Sequence, residues 1–347
     1  RITLKDIARN VGVHPSTVSR VLNPDTRKMV TKRIADRVIH ASEQLGYRPN
    51  TFAQGLRTNR SYTVGVMVPD LTNPAFGPII KGIDNVLEQS GYSVIVANTD
   101  NVLEKEKRSV DKFHERQVDG LIIATARRLD DVVTTCLEEG TPFVLAVRST
   151  IEKGVNSVVS DEIVGGQMIV SHLAQLGHKK IAYVAGPQFL STGFERYQGY
   201  LQGLKNAGLE LDEDLVAIGD AFTEEEGRQA AIMINANQKP FTAIVAANDL
   251  MALGCYDELI TKGLKCPDDV SVVGYDDMPF TRHFNPPLTT VHTPLLNVGM
   301  QAARILLERI WKPEQPAHAL KLQPHLIVRG STGIPSSFSE TGTKVTN

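Results

Sequence analysis

Three cysteines in 347 residues, Cys136, Cys255 and Cys266, make an odd number with no CxxC spacing. That usage suggests neither a disulfide framework nor a zinc site, and it fits a reducing cytoplasm. The nine histidines show no metal-ligand spacing, and no HExxH, GxGxxG, Walker A or GxSxG string occurs. Asp276 and Asp277 are adjacent acids, but sequence neighbours normally point different ways, so they do not supply glycosidase geometry. No enzyme, metal or cofactor is therefore expected. The N-terminus lacks the apolar core of a secretory signal, and no stretch approaches the ~18 uninterrupted apolar residues of a membrane span, so no membrane partner is expected.

Net charge is nearly absent too, at -2 overall, but it is unevenly spread. Residues 1–60 hold 12 Lys or Arg against the four acids Asp6, Asp25, Asp36 and Glu43, a local +8. The remaining 287 residues hold 25 bases and 35 acids, or -10. A basic head on an acidic body points to a polyanion partner at the N-terminus alone. At 41% apolar composition, a chain of this length can fill two or three domain cores.

Thr3-Leu-Lys-Asp6 has the residue types that cap a helix start, and Leu4, Ile7, Ala8 and Val11 follow on one helical face. Gly12 suits a tight turn, and Pro15 suits the first turn of a second helix. In that helix Val18, Val21 and Leu22 share the inward face, while Ser16, Thr17, Ser19 and Arg20 look outward. Hydroxyls reach phosphates or base edges, and an arginine pairs bidentately with guanine, so this face is suited to a DNA groove. The spacing of Ile34, Val38, Ala41 and Leu45 predicts a third helix over 31–45, ended by Gly46. Pro49 stops it, and Asn50 can cap a short segment to Leu56 that is weak as an isolated helix.

The strings Thr3-Leu-Lys-Asp-Ile-Ala8, Val11-Gly-Val13, Pro15-Ser-Thr-Val-Ser-Arg-Val-Leu-Asn23 and Gly46-Tyr-Arg-Pro-Asn50 closely resemble the lactose-repressor (LacI/GalR) family. The resemblance implies that the second helix enters a major groove and that a hinge leucine wedges a minor-groove step. By position it makes Pro15, Ser16 and Arg20 base readers and His14, Thr17, Ser19 and Asn23 phosphate contacts. Asn50 and Ala53 join the DNA-contacting hinge, with Leu56 as the wedge. The family usually has Ser where His14 stands, so a capping hydroxyl is expected to be exchanged for an imidazole that contacts phosphate.

From Thr63 onward, short β-branched runs alternate with amphipathic stretches. Strands are expected at 64–68, 93–97, 121–124, 143–147, 181–185, 243–246 and 270–274, with helices at 79–89, 105–117, 162–176, 194–207 and 249–262. The alternation breaks over 152–161. It predicts two doubly wound α/β lobes of parallel sheet, whose ligands bind beyond the C-terminal strand ends. Asp70, Asp161, Asn248 and Asp276 sit at such ends.

The family resemblance extends through Asn73-Pro-Ala-Phe76, Val118-Asp-Gly-Leu-Ile122, Leu176-Gly-His-Lys-Lys-Ile-Ala182, Ala247-Asn-Asp-Leu-Met-Ala-Leu-Gly254, Val273-Gly-Tyr-Asp-Asp277 and Pro287-Leu-Thr-Thr-Val291. It implies a periplasmic-binding-protein-like core with chain crossings near Ser160, Thr290 and Gln323. It also implies that Asp70, Phe76, Arg148, Asp161, Arg196, Phe222, Asn248 and Asp276 hold a small effector. Alternatives stay open at several positions: Asp161 as a helix cap, Arg196 paired to Glu195, Arg148 in a surface ion pair, Phe222 in the core, or Ala221 in its place. An effector site containing Arg148 suits an acid-bearing ligand. Sugars, sugar acids, nucleosides and purines all occur in the family, and a sugar or sugar acid is preferred here.

The expected organisation is a helix-turn-helix head (1–49), a hinge (50–61), a two-lobed core (62–332) and a disordered tail (333–347). The N-lobe comprises about 62–160 and 291–322, and the C-lobe about 161–290 and 323–332. The tail carries no leucine heptads, which favours a homodimer over larger assemblies. The expected function is a cytoplasmic repressor of double-stranded operator DNA controlled by a small effector. The alternative is a solute receptor without a DNA role.

Overall fold

The computed structural model describes residues 2–47 and 60–336, so Asn50, Ala53 and Leu56 of the expected hinge lie outside the described residues. The chain divides into two compact units between Ser61 and Tyr62.

In the first unit, α1 (Leu4–Val11) begins where Asp6 reaches back to accept the Thr3 hydroxyl at 2.7 Å and the Thr3 N–H at 2.9 Å. Those two bonds hold the Asp6 carboxyl below its ordinary range. Gly12 turns the chain at φ +72°, a left-handed conformation open to glycine. Next come α2 (Pro15–Leu22), α3 (Pro24–Arg27) and α4 (Lys32–Gln44). Their core is Ile7, Ala8, Val11, Val18, Val21, Ala35, Val38 and Ala41. The short α3 is an addition to the expected three helices. It satisfies the open end of α2, where the Thr26 hydroxyl donates to the Arg20 carbonyl at 3.0 Å and Arg27 Nε to the Val21 carbonyl at 2.8 Å.

The second unit holds two six-stranded sheets. One comprises β1 (Thr63–Val68), β2 (Ser93–Asn98), β3 (Gly120–Ile123), β4 (Phe143–Ala146), β5 (Ser157–Ser160) and β11 (Ala319–Leu322), in the order β11-β5-β4-β3-β1-β2. The other comprises β6 (Ile181–Ala185), β7 (Val216–Ile218), β8 (Ala243–Ala246), β9 (Ser271–Asp276), β10 (Thr289–His292) and β12 (His325–Ile327), in the order β12-β10-β9-β8-β6-β7. Every pairing is parallel except β10 with the edge strand β12. Flanking helices are α5 (Phe76–Gln89), α6 (Leu103–Glu115), α7 (Asp131–Glu138) and α12 (Leu295–Trp311) in the first lobe. The second lobe has α8 (Glu162–Gln175), α9 (Ser191–Asn206), α10 (Glu224–Ala236) and α11 (Asp249–Thr261).

Both faces of each sheet are covered, which is why the strands read as near-continuous apolar runs. In β6, Ile181 and Tyr183 join one core layer, and Ala182 and Val184 the other. Helices α8 and α9 approach so closely that a Cβ on Gly199 would lie 2.4 Å from the Ile163 carbonyl oxygen.

Three crossings join the lobes: after Ser160, after His292, and between Leu322 and His325. The second lies later than the expected 290/291 boundary, because Thr289–His292 pairs in register with Val273–Asp276. The stretch where the alternation was expected to break contains β5, paired to β4 and β11. The tail does not leave the core at 333 as expected: the Gly333 N–H donates to Ser271 Oγ at 3.0 Å, and its carbonyl lies 3.0 Å from His178 Nε2. Residues 337–347 lie outside the described residues. Among the described residues, no helix is long and apolar enough to cross a membrane, and no cluster of His, Cys, Asp and Glu could hold a metal.

Candidate functional site

Two surfaces carry the chemistry. On the head, α2 splits into a buried side with Val18 and Val21 and an outer side with His14, Ser16 and Arg20 exposed. Pro15, Thr17, Ser19 and Asn23 are half-buried at its margins. His14 differs from expectation: the imidazole keeps the cap. Its Nδ1 accepts the Ser16 N–H at 3.2 Å and lies 2.8 Å from Ser16 Oγ. A neutral ring nitrogen is an acceptor, so the lost hydroxyl is replaced in kind.

On the core, a cavity of about 330 Å³ is lined from both lobes, within the size range of small-molecule sites. Of the eight expected residues, Asp70, Phe76, Arg148, Arg196, Phe222, Asn248 and Asp276 line it. Asp161 does not. Its carboxylate accepts the Val164 N–H at 3.4 Å and caps α8, leaving the neighbouring Glu162 to face the cavity. Ala221 and Phe222 both line the wall.

Arg196 organises the second-lobe wall. Nε donates to Glu162 at 2.7 Å, Nη2 to Asp276 at 2.8 Å and Nη1 to the Ala247 carbonyl at 2.7 Å, while the guanidinium stacks 3.8 Å from the Tyr275 ring centre. The expected alternative partner, Glu195, instead faces Lys321. Against the effect of burial, Asp276 and Glu162 raise Arg196 well above its ordinary pKa. Burial pushes the Asp276 carboxyl up to about 6, despite the pull of Arg196.

Asn248 caps α11 by accepting the Met251 N–H at 2.8 Å. Asp249, which sequence reasoning passed over, is fully buried beneath the wall. It accepts the Thr290 hydroxyl at 2.6 Å and the Met278 N–H at 2.7 Å, tying β10 to the turn after β9.

Arg148 is buried at the first-lobe wall rather than in a surface ion pair. Nη1 donates to Asn101 Oδ1 at 2.9 Å and to the Thr125 carbonyl at 3.2 Å, and burial lowers its pKa to about 10. Asp70 closes the turn after β1, accepting from the Thr72 hydroxyl and N–H at 2.7 and 2.8 Å. Four non-glycine wall residues have positive φ: Asp100 (+53°), Asn101 (+56°), Val147 (+69°) and Asp276 (+103°). Such conformations cost free energy and persist where packing over-determines them, commonly at ligand sites.

Comparison with known proteins places both surfaces in one lineage. The family described as bacterial regulatory proteins, lacI family, matches residues 3–50, and the periplasmic binding protein-like domain matches 170–332. The HTH-type transcriptional repressor PurR of Histophilus somni (strain 129Pt) is 32% identical over 330 residues, covering 95% of this chain and 98% of its own. A solved complex of the transcriptional regulator CelR with cellobiose is 33% identical, with a TM-score of 0.74 over 95% of this chain and 100% of its own. The lac repressor dimer bound to operator and the anti-inducer ONPF is 28% identical, with a TM-score of 0.84 over 96% and 99%. At that identity and coverage, relatives that are transcriptional repressors and not enzymes settle the lineage: the chain belongs to the lacI family of bacterial DNA-binding transcriptional regulators.

Proposed function

We propose that the chain is a cytoplasmic repressor that binds a palindromic operator as a homodimer and responds to a small effector held between its lobes. The observation that carries the DNA half is the division of α2, with Val18 and Val21 buried and His14, Ser16 and Arg20 exposed on a segment of charge +8. Pro15, Ser16 and Arg20 read base edges; His14, Thr17, Ser19 and Asn23 meet phosphates. Asn50, Ala53 and Leu56 supply the hinge contacts. The lac repressor dimer on its operator supports the stoichiometry.

The effector is a sugar or sugar acid contacted by Asp70, Phe76, Arg148, Arg196, Phe222, Asn248 and Asp276. CelR with cellobiose supports the sugar class, and the buried Arg148 supports an acid group. Effector binding shifts the lobes and, through the hinge, the operator affinity. In a gel shift on a selected palindrome, Arg20→Ala is expected to weaken binding by about tenfold or more and relax one base position. Unchanged binding would refute the assignment of α2. A solute receptor without a DNA role would give no retardation with the unmutated chain.

A further inference from the structure

Most polar groups in the cavity wall already have partners inside the protein. Arg196, Asp276, Asn248 and Asp70 all do. Two residues stand apart: Ser160 and Thr293 line the cavity, and their hydroxyl oxygens are buried with no hydrogen-bond partner among the described residues. Buried polar atoms in folded proteins are nearly always hydrogen-bonded, so two orphans in one wall mark where the polar atoms of an occupant belong.

Their places in the chain give the pair its meaning. Ser160 ends β5 and is the last first-lobe residue before a crossing; the next N–H, of Asp161, donates to the Leu322 carbonyl of β11 at 2.9 Å. Thr293 directly follows β10 and begins the return crossing. Each orphan hydroxyl thus sits on a segment that changes geometry if the lobes move.

We infer that Ser160 and Thr293 are specificity-determining residues that hydrogen-bond hydroxyl oxygens of the effector, coupling its binding directly to two of the three crossings. A side-chain hydroxyl both donates and accepts, and so does a ligand hydroxyl. Polyhydroxylated ligands satisfy both positions, whereas an apolar face leaves them unpaired. The inference rests on the cavity being the effector site, and it adds the hinge as the place where hydroxyls are read.

The test uses Ser160→Ala and Thr293→Val in the full chain. Without ligand, each variant is expected to melt at or above the temperature of the unmutated protein, because an unpaired buried hydroxyl has been removed. A fall of several degrees in both would mean that the hydroxyls are bonded within the protein, and would overturn the inference. With D-glucose, D-gluconate, D-ribose and cellobiose as probes, the one that raises the melting temperature of the unmutated chain is expected to bind each variant about five- to tenfold more weakly. Equal binding to all three proteins overturns the hinge contacts and leaves the cavity reading standing. Loss in one variant alone overturns the two-crossing link. No shift of the unmutated chain by any probe overturns the sugar-class effector reading and the inference with it.

Discussion

The two walls of the cavity each hold one buried arginine, and they hold it in opposite ways. Arg196 of the second lobe is bonded to Glu162, Asp276 and a carbonyl, and is stacked on Tyr275. Arg148 of the first lobe donates only to neutral oxygens, of Asn101 and Thr125, and has no ion pair among the described residues. The charge of Arg196 is thus neutralised by partners within the protein. The charge of Arg148 is offset only at longer range, by Glu106 and Asp130, so under the proposed function it is the arginine left to meet an acid group of the effector.

Three substitutions probe that contrast. Arg196→Ala should have the largest effect, destabilising the chain by about 3–5 kcal/mol in urea denaturation, since it strands two buried carboxylates. A loss below about 1 kcal/mol would erase the contrast. Arg148→Met should cost less, about 1–2 kcal/mol, because only neutral acceptors lose a donor. It should also abolish any preference for D-gluconate over D-glucose in thermal-shift titrations; a retained preference would move acid recognition elsewhere.

The third substitution, at Asp276, is read through pH. Its pKa is raised from the ordinary 3.8 to about 6. The folded state therefore binds the proton more tightly than the unfolded, and this contribution to stability is greatest below pH 3.8 and is lost as pH rises through 6. The stability advantage of the unmutated chain over Asp276→Asn should shrink across that window. An advantage that grows instead would mean that Arg196 outweighs burial.

What was legible in the sequence was what local patterns encode. The cap at Thr3, the turn at Gly12 and the two faces of α2 depend on neighbours a few residues away, and so do the strands with apolar residues on both faces. The partnering within the wall was not legible. Asp161 and Glu162 are adjacent acids at a helix start, and no spacing says which one caps and which reaches Arg196, 34 residues onward. Arg148 read equally well as a surface residue, because its burial depends on Asn101 and Thr125, which belong to other loops. β5 and β12 are short, and only their sheet partners reveal them. At His14 the family pattern misled, since a substitution read as the loss of a cap preserved one through ring chemistry.

Control of the head by the core is tested most directly by titrating a fluorescent palindromic operator with the full chain, with and without the compound that raises its melting temperature. The operator Kd is expected to change by about 5- to 150-fold at saturation, the usual range of coupling between two sites. An identical Kd with the compound saturating would contradict effector control, because a ligand that binds both states equally shifts neither.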